Sequence, residues 1–522
     1  MTNGIDLGGF TLSTSTQRIW LIFLIVYSIA IVGMGLYVQI MSRRGGDNKF
    51  ATFLTGGGNL GAVAIAMISC TNLAAGGVMM GAPGLTYSVG FIYSICVFSG
   101  FLSTFASLMA VGRKAAIVRN RLGATTFIQL MRHRFQSKKV AVVMAIGGFI
   151  FLSCYASGQI TSGAKLLSAI TGGKVYTWGL ILITLIAVIY TLTGGMKSLA
   201  KVAVVQGAVI VVAVCAVFVS QRLNVTEQYG SIQSAMEFVA ESKPSLLKAT
   251  VWTPLYTFGT MLLTSWALSS FPHGLNVTMT YNSPKKYAHA IIIGTVTFIL
   301  MQGIMSSIGP LNYALNQNIT TADYNTIYIA SDLVPPWVGA VLIASIVAAI
   351  QSSIAGMCIA AASGIAKDIY KDIIKTDAPE KSVSRVNYIA LICSALISIL
   401  IALKPTTYTQ LLINFSIGGL AASWIMPVLF GLYSRKATGA ACFASSLTGL
   451  IAYLVGFLLS NYAKPFWVGV LGNVHPVVPA CLLSFLVMII VSKNTKKVPF
   501  GIYQVWFGKE YDESYAKEYN LT

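Results

Sequence analysis

About thirteen apolar runs divide this chain, most of them near the ~20 residues that a helix needs to cross a hydrocarbon layer. Inside a bilayer no water satisfies a free backbone N–H or C=O, so such runs are restricted to helices that bond internally. Composition agrees: 56% of the 522 residues are hydrophobic and 10% charged, far from a soluble globular mixture. The chain reads as an all-α polytopic membrane protein. No soluble domain is appended, which argues against a receptor kinase or a membrane-anchored enzyme.

The formal net charge of +20 raises the question of nucleic acid or an acidic surface as partner. Most of the 35 Lys and Arg, however, fall in alternate loops. That is the positive-inside bias, so the charge reports topology. It places the N-terminus outside, the C-terminus in the cytoplasm, and the protein in a cell (inner or plasma) membrane. The expected partners are the lipid bilayer and a small-molecule substrate, with no nucleic acid and no obligate protein partner. The eight cysteines lie mostly within apolar runs and show no CxxC spacing. They read as small hydrophobes rather than metal ligands or a disulfide framework. The N-terminus lacks a basic region ahead of its first apolar run, so no removable signal is expected.

The runs lie at about 19–41, 60–80, 89–111, 140–167, 178–192, 202–219, 254–271, 290–311, 341–370, 388–403, 411–432, 440–459 and 477–491, with ends uncertain by several residues. Gly230 to Ala240 could form a helix lying outside. The ninth run, VLIASIVAAIQSSIAGMCIAAASGIAKDIY, organises the rest. Its small residues let neighbouring backbones approach. Ser352 and Ser353 offer two neighbouring neutral oxygen ligands, which suit a hard cation where fixed charge is penalised. A serine pair also back-bonds readily to its own helix carbonyls.

Two runs look broken. The second holds Ala75-Gly76-Gly77 and Met80-Gly81-Ala82-Pro83-Gly84; the seventh holds Ser269-Ser270-Phe271-Pro272-His273-Gly274. They lie five runs apart and cross in opposite directions. Gly and Pro are common in membrane helices, but matched breaks in an inverted repeat point to a transporter site at mid-membrane. No Asp or Glu lies in the middle of any run, which argues against a carboxylate proton relay. A coupling cation would sit among carbonyls and hydroxyls, and neutral ligands favour a monovalent ion.

Several stretches resemble the sodium:solute symporter family, most closely its sodium/pantothenate members. They include MGAPGLTYSVG (Met80 to Gly90), TLTGGMKSLAKVAVVQG (Thr191 to Gly207), FPHGLNVTMTYNSPKKYAHAIIIGT (Phe271 to Thr295), AAIQSSIAGMCIAAASGIAKDIY (Ala348 to Tyr370) and HPVVPACLLS (His475 to Ser484). The resemblance implies a LeuT-type fold with a 5+5 inverted repeat. Its repeats would be 56–220 and 250–433, with an extra N-terminal helix at 18–41, two added helices within 438–492 and a cytoplasmic tail at 493–522. It implies Na⁺ as coupling ion and no organic cofactor. The sodium ligands would be backbone oxygens of Thr71, Ala74 and Ala349 with the hydroxyls of Ser352 and Ser353.

Three departures from the family pattern bear on function. Trp-Thr-Asp is usual where this chain has Lys201, Val202 and Ala203, and that aspartate serves a second sodium in some members, so one sodium per cycle is expected. Arg is common where Val277 stands. Gln351 replaces a usual Met, and could reach substrate or simply bond a neighbouring helix.

Substrate candidates are Asn72, Leu73, Gly76 and Gly77 at one break, Ser265, Ser269 and Ser270 at the other, and Gln159 and Gln351. Helix glue is an equal role for Gln159. Lys165, near the outer end of the fourth run, is expected to snorkel. Tyr155 and Phe415 could close over a ligand or serve packing. The expected function is sodium-coupled import of a small organic solute, a carboxylate such as pantothenate. Proline, a short monocarboxylate or another solute is the alternative within the class. A channel is disfavoured because no charged ring or pore-lining repeat is evident.

Overall fold

A computed structural model of the chain describes residues 4–507 other than 45–49, 57–59, 74, 174, 249–250, 267–270, 279, 281–282 and 405–406. A short antiparallel hairpin of β1 (Gly4–Asp6) and β2 (Thr11–Ser13) precedes a helical chain. The helices begin with α1 (Thr14–Arg44), α2 (Phe50–Thr55), α3 (Ala62–Leu73), α4 (Ala82–Val89), α5 (Phe91–Ser99), α6 (Phe101–Phe105), α7 (Arg113–Leu122) and α8 (Phe127–Phe135). Then come α9 (Lys138–Ile170), α10 (Tyr176–Tyr229), α11 (Ile232–Ser242), α12 (Pro254–Thr264), α13 (Pro272–Thr278), α14 (Pro284–Leu315) and α15 (Asn325–Tyr328). The chain closes with α16 (Pro336–Ser363), α17 (Glu380–Ala402), α18 (Thr409–Tyr433), α19 (Gly439–Tyr462), α20 (Lys464–Leu471), α21 (Val477–Asn494) and α22 (Phe500–Phe507).

Among the described residues ten helices are long and apolar enough to cross a membrane, or eleven if the bent pair Ala62–Asn72 and Gly77–Val89 is one span. The expected thirteen is not reached. The difference lies in three of the expected runs. The second expected run bends by 54° between the members of that pair. The fifth, expected at 178–192, is the short apolar helix Tyr176–Ile189, below the length of a full span, and the kink of α10 at Gly195 (φ 55°, ψ −151°) falls in the gap expected before the sixth. A side chain is excluded there twice over, by the positive φ and by Phe53, whose carbonyl oxygen would lie 2.7 Å from a new Cβ. In the seventh run α12 ends at Thr264 and α13 begins at Pro272, with residues 267–270 outside the described ones. A helix does form where one was expected at Gly230 to Ala240: α11, whose Ala235 and Val239 are buried with Leu311 and Ala314.

Burial ranks the spans. The most apolar window of the segment from Pro336 to Ile374 is 89% buried, that of α1 only 22%. An all-round apolar helix is a core helix, and α16 is surrounded by α1, α9, α10, α13 and α17. Its Ala, Ser and Gly residues allow this crowding. At Gly356, for example, a Cβ would lie 2.8 Å from the Asn72 side-chain oxygen of α3.

At the end of the molecule that carries the basic loops, α22 lies on α7 and α8. Arg121 donates to the Val505 carbonyl (2.6 Å), and the Trp506 indole donates to His133 Nδ1 (3.2 Å). Burial, assisted by Arg132, pushes the His133 pKa down, which keeps that nitrogen free to accept.

At the opposite end His475 lies under α12, its ring 5.1 Å from that of Tyr256. Its Nδ1 accepts the Val477 N–H (3.3 Å), and burial pushes its pKa down to about 4. A histidine whose folded pKa lies below its unfolded value of about 6.5 contributes stability that is full above pH 6.5 and is lost as pH falls toward 4. Going from pH 7 to pH 5 is expected to remove about 2 kcal/mol through this residue. Thermal unfolding in detergent at the two pH values checks it. His475→Asn should lose less stability than the wild type over the same interval, and equal losses would contradict the assignment.

Candidate functional site

The break between α3 and the helix that follows it brings carbonyls to the serine pair of α16. Ser353 Oγ lies 3.0 Å from the Thr71 carbonyl oxygen, 2.9 Å from that of Ala349 and 3.4 Å from that of Asn72. Ser352 Oγ lies 3.3 Å from the Thr71 oxygen and 3.2 Å from that of Ala349. Both serines are fully buried. The Thr71 and Asn72 carbonyls face α16 because α3 ends here, so its last carbonyls lack partners further along the helix. The serines reach them because α3 and α16 approach through small residues. Four of the five expected sodium ligands, Thr71, Ala349, Ser352 and Ser353, thus stand together. The fifth, Ala74, lies outside the described residues. Two hydroxyls and three carbonyls supply neutral oxygen to this cluster.

One helical turn further on, a cavity of about 30 Å³ lies between the broken helix and α18. Gly77, Tyr93, Tyr155, Thr264, Gln302 and Gln410 are among its walls. This volume holds about one water, whereas small-molecule sites span roughly 300–1,000 Å³. The conformation is therefore contracted, and a solute must part these helices. The glycines show how tight it is. A Cβ on Gly77 would lie 2.7 Å from Gln410 Oε1 and from Ile413, and one on Gly76 2.8 Å from Ile350 and 2.9 Å from Ser162.

The expected substrate residues fall unevenly around this cavity. Gly77 lines it, and Gly76 packs beside it. Asn72 is buried, with neither amide atom hydrogen-bonded among the described residues, and faces Gly356. Gln159 and Gln351 are fully buried but do not line the cavity; the Gln159 amide has no hydrogen-bond partner among the described residues. Ser265 donates back to the Met261 carbonyl of its own helix. Ser269 and Ser270 lie outside the described residues, as does the Leu73 side chain. Tyr155 is a wall residue, while Phe415 packs away from the cavity on Phe457. Gln302 and Gln410 were not anticipated, although an amide inside an apolar run is itself a signal. Gln410 donates to Asn414 Oδ1 (2.9 Å) one turn along α18, which leaves its Oε1 without a partner among the described residues.

Polar clasps close the protein on both sides of this cavity. On one side Lys165 does not snorkel. Its Nζ lies 2.5 Å from Asp323 Oδ2, and both groups are buried. The same carboxylate oxygen accepts from Thr409 Oγ1 (2.6 Å) and the Thr409 N–H (3.2 Å). One buried anion therefore joins α9, the turn at Ala322–Tyr324 and the start of α18. On the other side Thr126 donates to Asp368 Oδ1 (2.6 Å), Asn276 Oδ1 accepts the Phe127 N–H (3.2 Å), and Arg132 pairs with Asp372 (3.4 Å). The buried Arg134 donates to the carbonyls of Gly431 (3.0 Å) and Ser434 (2.7 Å). These contacts tie α8 to α13, to the end of the α16 segment and to α18.

Residues 53–449 match the sequence model of the sodium:solute symporter family. The sodium/pantothenate symporter of Escherichia coli (strain K12) is 24% identical over 484 residues, covering 91% of this chain and 96% of that protein. Sodium/proline symporter 2 of Staphylococcus saprophyticus is also 24% identical, over 94% of this chain and 96% of that protein. Among solved structures, a Na⁺-coupled sialic acid symporter in a substrate-bound outward-open state superimposes with a TM-score of 0.71 at 17% identity, over 92% of this chain and 98% of that one. A nucleobase-cation-symport-1 family transporter in a closed conformation gives 0.52 at 13% identity, over 86% and 97%. Both have the LeuT-type fold, and so does this protein. With a match that spans most of its length, the chain belongs to the sodium:solute symporter family, a family of multi-pass membrane transporters.

Proposed function

We propose that the protein is a sodium-coupled symporter that imports a small organic carboxylate, one sodium per cycle. The observation that carries this is the group of neutral oxygens from Thr71, Asn72, Ala349, Ser352 and Ser353 across the break of α3. Sodium there bridges α3 to α16, with Ala74 as a further ligand, and fixes the broken helix in the shape that receives solute. One sodium per cycle rests on Lys201, Val202 and Ala203 standing where an acidic residue would serve a second ion.

The solute enters beside that ion, between Gly76 and Gly77 on one side and Gln410 and Gln302 on the other. No wall residue described there is charged. A carboxylate would thus be held by amide groups, by the helix N-termini exposed at the breaks and by the ion itself. The repeats at 56–220 and 250–433 then rock about the site, opening one clasp while the other stays shut. The Lys165–Asp323 side faces out and the basic-loop side faces the cytoplasm, with the N-terminus outside a cell membrane. Pantothenate is the first solute to test and proline the second, since relatives named for each match this chain equally well.

Uptake of labelled solute into proteoliposomes, with and without an inward sodium gradient, tests the proposal. Sodium-driven accumulation of pantothenate, with proline inert, is the expected result. Accumulation of proline alone would replace the cargo. Flux of either solute that ignores sodium would overturn the coupling.

A further inference from the structure

A groove and a polar cavity meet at Lys138, the first residue of α9. The groove, about 560 Å³, runs along the membrane-facing side between α9, α18 and α19. Its walls are apolar, among them Ile146, Ile150 and Phe415, and its basic end is formed by Lys138 and Lys139. The cavity, about 380 Å³, lies beyond the same lysine and is lined by polar groups that include Gln129, Arg132 and Gln136. We propose that this pair is a binding site for one anionic phospholipid, its acyl chain in the groove and its phosphate over the two lysines.

The groove exists because α9 carries little bulk where α18 passes it. A Cβ on Gly147 would meet nothing nearer than Ser423 Oγ, 4.0 Å away. Isoleucines on its rim are half exposed, Ile146 at 45% and Ile150 at 50%. In a bilayer the natural filling for such a slot is hydrocarbon.

Charge makes the slot selective. Among the described residues neither Lys138 nor Lys139 forms an ion pair or a side-chain hydrogen bond, and both are exposed. The other charges nearby are largely engaged: Arg132 pairs with Asp372, which Lys367 also neutralises, and His133 accepts from Trp506. Among the described residues a headgroup meets two lysines outside any ion pair, and no carboxylate lines either space. The start of a 33-residue helix, α9, adds its own preference for negative charge. Basic pockets beside membrane helices on the cytoplasmic side are where anionic headgroups bind.

The position also touches the transport machinery. Phe151 and Phe415, both lining the groove, meet in a tilted ring contact with centroids 5.9 Å apart between α9 and α18. One turn along α9 from Phe151, Tyr155 lines the central cavity, and on α18 Ile413 and Ile417 line it from the side away from Phe415. A chain held in the groove backs the α9–α18 contact that must loosen when the clasps open.

Native mass spectrometry of the delipidated full-length protein in detergent tests the site, with phosphatidylglycerol and phosphatidylcholine of identical chains as probes. It needs no transport assay, so it stands apart from the cargo question. The wild type should bind phosphatidylglycerol more tightly. The double variant Lys138→Ala, Lys139→Ala should weaken phosphatidylglycerol binding about 30-fold, about fivefold per lysine, and leave phosphatidylcholine unchanged. Gly147→Leu, which fills the groove and spares the lysines, should weaken both lipids. Equal wild-type affinity for the two lipids would overturn the proposal. So would a preference that survives loss of the lysines, or soluble glycerol phosphate competing as well as the intact lipid.

Discussion

Ser353→Ala is expected to raise the sodium concentration for half-maximal uptake by tenfold or more. The residue's hydroxyl stands within 3.4 Å of three carbonyl oxygens, from Thr71, Asn72 and Ala349, on two helices. In the contracted structure its single proton is shared among them. With a cation present the hydroxyl turns its lone pairs to the ion and the carbonyls do the same. Alanine removes one neutral ligand from a site that has no charge to compensate. A hydrogen-bonding group lost to a charged partner costs roughly 1.5–3 kcal/mol, which corresponds to about a 10- to 150-fold change in affinity. Ser352 lies farther from its carbonyls, at 3.2 and 3.3 Å, so Ser352→Ala should have the smaller effect. If sodium binds here and shapes the solute site, both variants should recover when sodium is raised. An unchanged sodium dependence in both would remove the ion from this place.

Asp323→Asn is expected to be the most damaging single change away from the ion. The carboxylate is fully buried and is shared by Lys165 and Thr409. Removing one partner of a buried pair costs about 3–5 kcal/mol, because the other charge is stranded. The stranded Lys165 regains water when α9, the turn at 322–324 and α18 separate. That shifts the balance toward the state open on this side by about 100-fold or more. Hydrogen exchange at residues 319–324 and at the start of α18 should therefore speed up sharply, with uptake reduced. The double variant Lys165→Met, Asp323→Leu strands nothing and should recover much of the lost thermal stability. If Asp323→Asn leaves exchange and stability untouched, the clasp has no such role.

Much of this architecture was legible because a bilayer leaves few choices. Apolar length marked the spans, and Gly-Gly and Pro-rich breaks marked the two interrupted helices. The serine pair on α16 was legible for a related reason: two hydroxyls in the middle of the most crowded, small-residue helix require partners, and the end of α3 provides carbonyls. The count of spans was less secure. The apolar helices Tyr176–Ile189 and Pro254–Thr264 are shorter than a full span, which apolar composition alone does not show.

Contacts between distant positions were harder to read. Lys165 resembled a snorkelling side chain because its partner lies 158 residues away in a loop. Gln410 and Asn414 did carry a signal, two amides one turn apart in an apolar helix. Their importance depends on α18 facing the glycines of the first break, which periodicity alone does not specify.

Sodium-dependent thermal stabilisation of the purified wild type and of Ser353→Ala, with potassium as control, addresses the ion site without any assumption about cargo. The wild type should gain thermal stability with sodium and not with potassium, and Ser353→Ala should lose most of that gain at the same concentrations. A Ser353→Ala protein that responds to sodium as the wild type does, or a wild type stabilised equally by potassium, would contradict a sodium site between α3 and α16.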